Sequence, residues 1–196
     1  MANFLDEFMK EYGPEVSRGV SANLGINKRT TNQLMPEVLP LILGGLKKQM
    51  ETRGGADRVN HILNKYGKDD VLDRIEDELN VRSQESTPDP RLGGLLGESG
   101  VQAAGLMGNK FNLDSGVIQK LIPMLAPIIL GALTRKRDKG GAGNDGIASL
   151  IDRDGDGQIL DDVAGFLLGG SGGQSRGSNP LGNLLGSLFG GGRKRR

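Results

Sequence analysis

Cysteine and tryptophan are absent from this chain, and histidine occurs once, at His61. Without cysteine there are no disulfides and no thiol chemistry, and the redox compartment is left open. A single histidine rules out histidine-based triads and multi-histidine zinc sites within one chain. Aromatic residues make up only 4%, too few for a stacking platform for single-stranded nucleic acid. Charge of one sign is missing too. Twenty-five Lys and Arg face 24 Asp and Glu, a net charge of +1, so no global field recruits nucleic acid or an anionic membrane. The first ten residues, Met1 to Lys10, lack a basic segment and an unbroken apolar one, so no secretory signal is expected and the chain reads as cytoplasmic. No run of about 18 apolar residues occurs, so no bilayer-spanning helix is expected. The glycines of 140–146 and 169–177 have no flanking strand, which excludes a Walker-type phosphate loop.

Glycine, by contrast, is abundant, with 33 residues. The most informative stretch is one the chain uses twice. Leu34-Met-Pro-Glu-Val-Leu-Pro-Leu-Ile-Leu-Gly-Gly-Leu46 returns 87 residues later as Leu121-Ile-Pro-Met-Leu-Ala-Pro-Ile-Ile-Leu-Gly-Ala-Leu133. Each copy is almost wholly apolar and reads as a buried helix. Pro36 suits a first turn, where its missing N–H has no intrahelical partner, whereas Pro40 forfeits one backbone bond and kinks the helix. Thr30-x-x-Gln33 fits a capping box and places the start near residue 31; Asp114 or Ser115 can cap the second copy. Gly44 and Gly131 weaken a helix by about 1 kcal/mol each relative to Ala. Their reuse predicts a close approach by another helix.

Taken in order, residues 1–13 form an N-terminal amphipathic helix, with Phe4, Leu5, Phe8, Met9 and Tyr12 on one stripe. Residues 14–82 form a first helical unit, with helices expected over 14–24, 30–51, 56–66 and 70–81. The polar, Pro-containing stretch 83–91 is a linker. Residues 92–168 form a second unit, with helices over 92–108 and 115–136. Residues 169–196 are a Gly/Ser-rich tail, largely disordered, with a short apolar patch at 181–189 and a basic end, Arg193 to Arg196. The run Arg135-Lys-Arg137 is explained by favourable cations at a helix C-terminus.

The likeness extends beyond the apolar helix. At an offset of 88, Gly67 meets Gly155, Val71 meets Ile159, Leu72 meets Leu160, Asp73 meets Asp161 and Ile75 meets Val163. Leu92-Gly-Gly-Leu-Leu-Gly97 meets Leu181-Gly-Asn-Leu-Leu-Gly186 at 89. The expected fold is therefore all-α: two pseudo-repeated helical units, each built around a long Pro-kinked apolar helix, with an EF-hand-like loop in the second. Three segments, Gly105-Leu-Met-Gly-Asn-Lys-Phe, Leu121 to Leu133 and Asp154-Gly-Asp-Gly-Gln-Ile-Leu-Asp-Asp-Val-Ala-Gly-Phe-Leu, resemble the bacterial YidB-like family, over about residues 14–168. That resemblance implies an all-α bacterial protein without an established activity, and it supplies no catalytic residues.

One motif carries chemistry. Asp152-x-Asp154-x-Asp156-Gly157 matches the first half of an EF-hand loop. Carboxylates at positions 1, 3 and 5 converge on Ca²⁺, glycine at 6 permits the turn, and the carbonyl of Gln158 at 7 adds an oxygen. Val163 stands where a bidentate Glu is usual, leaving Asp161 or Asp162 to close the site. The first unit separates these two: it keeps Asp73 opposite Asp161 but carries Asn64, Tyr66, Lys68 and Arg74 at loop positions 1, 3, 5 and 11. Asp73 and Asp161 then read as helix-start residues, and Asp162 as the fourth carboxylate ligand beside Asp152, Asp154 and Asp156. His61 lies at helical spacing among Val59, Ile62 and Leu63 and reads as part of a helix. The carboxylates at 69, 70, 73 and 76–78 read as a solvated helix surface.

No catalytic constellation is present, so the expected function is that of a non-catalytic structural or interaction module holding a weak Ca²⁺ site. Its partner would be another protein or a second copy of itself, with no nucleic acid. The alternatives are a peripheral membrane or envelope-associated protein, with residues 181–196 in contact with lipid, and a carboxylate-based enzyme.

Overall fold

The computed structural model describes residues 4–85 and 97–140, and in the second stretch the side chains from 104 to 139. The segments 86–96 and 141–196 lie outside the described residues. Among the described residues every regular element is helical: α1 Phe4–Glu11, α2 Gly13–Leu24, α3 Lys28–Arg53, α4 Gly55–Tyr66, a 3₁₀-helix η1 Asp69–Asp73, α5 Ile75–Gln84, α6 Gly97–Phe111 and α7 Ser115–Gly140. The all-α expectation is met.

Two 26-residue helices, α3 and α7, form the middle of the structure. Both are longer than the apolar stretch alone implies, and both remain helical through their two prolines. α3 begins three residues earlier than the capping-box reading predicts, because Asn27 is the N-cap and its side chain accepts the Thr30 N–H. Pro36 therefore lies inside the helix and not in its first turn. Each internal proline withholds an N–H from the carbonyl four residues back, at a cost of about 3 kcal/mol in an isolated helix. Burial offsets this. Leu34, Met35, Val38, Leu39, Ile42 and Leu46 of α3, and Leu121, Leu125, Ile128, Ile129 and Leu130 of α7, are all fully enclosed. A side chain of this size contributes about 1.5–3 kcal/mol when buried. Asp114 caps α7, its Oδ1 accepting the Gly116 N–H at 2.7 Å.

The other helices clothe this pair. α4 packs on both α3 and α7, α2 on α3 and α5, and α6 on α7. α1 lays Phe4 and Phe8 into the core, and Tyr12 at its junction with α2 follows them; successive ring centroids are 6.0 and 5.5 Å apart. α1 ends at Glu11, just ahead of Gly13-Pro14, and Pro14 opens α2 at a position where a missing N–H is tolerated. The stretch 70–81, expected as one helix, is η1 followed by α5, with Arg74 between them.

By length and composition, Ser115–Lys139 is the one helix among the described residues that could cross a membrane. Some 72% of its apolar window is buried inside the protein, as in the core helix of a globular fold. The absence of an 18-residue apolar run thus concealed a helix of membrane-spanning length.

Candidate functional site

The proposed ligands Asp152, Asp154, Asp156, Gln158 and Asp162 all lie outside the described residues, as does the tail 169–196. The turn aligned with them in sequence, residues 64–74, is described in full.

That turn follows α4. Gly67 donates its N–H to Leu63 O at 2.8 Å and presses on the backbone of α7. A Cβ at residue 67 would stand 2.6 Å from Leu130 O, so any side chain there collides with main chain. The contact is mutual, because a Cβ at Gly131 would stand 2.8 Å from Lys68 O and 2.9 Å from Val71 Cγ2. The close approach expected at Gly131 is real, and it is made by the turn and η1. Val71 and Leu72 are buried beside it.

Arg135 locks the seam. Its Nη2 donates to Asp69 O at 3.1 Å and to Asp73 Oδ1 at 3.0 Å. The bond to Asp73 holds the guanidinium pKa above its usual value, against the opposing effect of burial, with Tyr12 adding a smaller increase. Asp73 is therefore an ion-pair partner and not a helix cap, and α5 begins after Arg74 with no side-chain cap bond. The neighbouring cations are also tethers. Lys136 pairs with Glu7 of α1, and Arg137 Nη1 donates to Asn60 Oδ1 at 3.1 Å and Asn64 Oδ1 at 3.0 Å on α4. These tethers act beside the favourable helix dipole at 135–137. Sequence reasoning missed these tethers because their partners lie 62 to 129 positions away.

Several carboxylates of this region are held in ion pairs. Asp70 pairs with Arg74, Glu76 with Arg18, and Glu78 with Arg82, which also reaches Glu85. Burial pulls the Arg82 pKa down, but its bonds to Glu78 and the charges of Glu78 and Glu85 outweigh that and leave it raised. Among the described residues no three Asp, Glu or His side chains converge as a metal site would require. His61 is exposed on α4. A cleft of about 210 Å³ opens between α4, η1, α5 and α7, lined by Lys65, Tyr66, Lys68, Arg74, Arg82 and Pro127 among others. Arg74 and Arg82 are already committed to carboxylates there, and Lys65 lies 5.5 Å from the centre of its neighbour's ring, Tyr66.

A second polar feature lies within α3. Glu37 is buried between Pro36 and Val38, and its Oε1 accepts from Lys110 Nζ of α6 at 2.6 Å. Its Oε2 is buried without a hydrogen-bond partner. No sequence signal marked this residue, which stands in an otherwise apolar stretch.

No curated protein and no solved structure matches this chain. A family model described as a bacterial protein of unknown function, DUF937, matches residues 6–136 and again 132–196, an assignment with which the YidB-like resemblance is consistent. The first match alone spans the helices from α1 to the Arg135 tether, and the chain belongs to the DUF937 family.

Proposed function

We propose that the protein is a non-catalytic helical module of two related units, in which the second carries a Ca²⁺-binding loop and the whole serves a structural or interaction role. Support for two units comes from α3 and α7. Each is 26 residues long, and both ends and both prolines of α7 stand 87 residues after their counterparts in α3. The loop reading rests on one observation. The described counterpart, residues 64–74, is a short turn entered from a helix and left through a 3₁₀ turn into another helix. A motif of the form Asp-x-Asp-x-Asp-Gly needs that helix–loop–helix setting to gather its ligands. In the first unit the turn carries Lys68 and Arg74 in place of ligands and uses Asp73 to hold α7.

Asp152, Asp154, Asp156 and Asp162, with the Gln158 carbonyl, offer hard oxygen donors, which suit Ca²⁺ better than a softer transition metal. Without the bidentate Glu at the last position, affinity should fall at the weak end of the EF-hand range, ~10⁻⁵–10⁻³ M. Calorimetric titration of the full chain with Ca²⁺ tests this. One site is expected, lost in Asp154→Ala and in Asp162→Ala and kept in Asp161→Ala. A flat titration at millimolar Ca²⁺ overturns the metal reading.

A further inference from the structure

The seam between η1 and α7 is built from few parts, and every one of them occurs a second time in the chain. On the turn side, Gly67 rests on Leu130, Val71 and Leu72 pack by Gly131, and Asp73 pairs with Arg135. Eighty-eight residues later stand Gly155, Ile159, Leu160 and Asp161. On the helix side, 87 residues before Leu130, Gly131 and Arg135, stand Leu43, Gly44 and Lys48 of α3. The two glycines thus recur as a pair, although they belong to different elements and neither is favoured inside regular structure for its own sake. The two charges recur in sequence with their signs intact, a lysine for the arginine and an aspartate for the aspartate. Leu43 and Gly44 are buried, and Lys48 is half-buried like Arg135.

We infer that residues 155–161 of the same chain dock on the Leu43–Gly44–Lys48 face of α3, as residues 67–73 dock on α7. Each unit then lends its turn to the long helix of the other, and Asp161 serves Lys48 and not the metal. The inference rests on the two-unit reading above but requires no bound ion, because its contacts are apolar and glycine-to-backbone with one side-chain ion pair. It also places the carboxylates Asp154 and Asp156 beside the central helix, so that Ca²⁺ at the loop bears directly on the join between the units.

The absence of cysteine gives a clean background for the test. Full-length protein carrying Gly44→Cys with Ile159→Cys is oxidised in Ca²⁺ and in chelator. A protein with Gly131→Cys and Val71→Cys serves as the calibrating pair, since a Cβ at 131 lies 2.9 Å from Val71 Cγ2 and a disulfide needs a Cβ separation of about 3.5–4.5 Å. Both pairs should close within one chain, in either buffer. If the calibrating pair closes and the 44/159 pair stays reduced, the docking is wrong. If 44/159 closes only as a covalent dimer, the face belongs to a second copy and the inference fails equally. A charge exchange avoids any disturbance from the cysteines. Lys48→Asp and Asp161→Lys should each lower Tm, and the double variant should recover at least half of the summed loss; strictly additive losses overturn the pairing. Ca²⁺ heat with the calibrating pair closed and the 44/159 pair reduced would sink the docking and leave the metal site standing, whereas a 44/159 cross-link without Ca²⁺ heat would do the reverse.

Discussion

α3 and α7 have the same length and the same proline spacing, yet they are filled differently. α7 is apolar without interruption from Leu121 to Leu133, and every residue of that run is buried. Over the matching run α3 buries Glu37, and just beyond it Lys47 and Gln49, where α7 has Met124, Thr134 and Lys136. The large side chains are also redistributed: Leu39 and Ala126 occupy one register position and both are fully enclosed. Such a difference is what two helices show when they share a backbone plan but meet different neighbours. Each has been packed for its own surroundings, because interiors are dense enough that a single methylene is felt.

The sharpest way to break the comparison is to make one helix imitate the other. Leu39→Ala gives α3 the residue of α7 and should cost about 2–5 kcal/mol, since the enclosing side chains relax only partly into the space left. Chemical denaturation reads the loss, and a variant within 1 kcal/mol of the parent, a bound taken from tolerated core swaps, would show that the two environments are interchangeable. Next in size is the turn. Gly67→Ala drives a methyl into the Leu130 carbonyl and should cost about 1–3 kcal/mol. Gly105→Ala in α6 meets nothing within 4 Å and should gain about 0.5–1 kcal/mol. Equal effects at the two glycines would mean that the seam yields.

What could be read in advance divides along the same line. Periodicity and the twin prolines located both long helices, and hydrophobic spacing placed Phe4, Phe8 and Tyr12 in the core, because those signals are local. The start of α3 differs from the capping-box expectation because two capping patterns compete within a few residues, and Asn27 outranks Thr30 as the cap. Local pattern assigns Asp73 to a helix start and Arg135 and Arg137 to a dipole, whereas their bonds are made across the fold. Glu37 could not be found by pattern at all. Its meaning depends on Lys110, which arrives from a helix 73 positions away. Local propensity is written in neighbouring residues, whereas the partner of a charge is set only when the chain has packed.

Glu37 supplies a finer test of the comparison. Lys110→Met leaves a buried carboxylate without its cation and should cost about 1–3 kcal/mol. The lysine is 46% exposed on its side chain, so water can partly replace it and the lower half of that range applies. Glu37→Met installs the residue that α7 has at this position, removes the unpartnered Oε2 and should be nearly neutral or stabilising. The order of the two midpoints in urea is the measurement. If Glu37→Met is the more damaging, the carboxylate has a partner or role that an apolar side chain cannot take over.

The smallest effect concerns Tyr12, at the junction of α1, α2 and the Arg135 tether. Burial raises the phenol pKa above its ordinary value of 10.0, the bond to Glu11 raises it further, and the Arg135 guanidinium works against both. The phenol donates to Glu11 Oε1 at 2.8 Å, a bond that exists only while the proton is present. A raised folded pKa means that the native state holds this proton more tightly than the unfolded chain does. The resulting stability is complete below pH 10, declines as pH rises through the higher folded value, and is gone above it. Tyr12→Phe keeps the ring against Phe8 and removes the proton, so its Tm should fall less steeply than that of the parent across this alkaline limb. Near pH 7 the two should differ only by the lost hydrogen bond, about 0.5–1.5 kcal/mol. Parallel Tm curves from pH 8 to pH 11, a range bracketing the ordinary tyrosine pKa, would mean that the alkaline loss comes from elsewhere in the molecule and that the Tyr12 proton contributes nothing to holding α1 on the core.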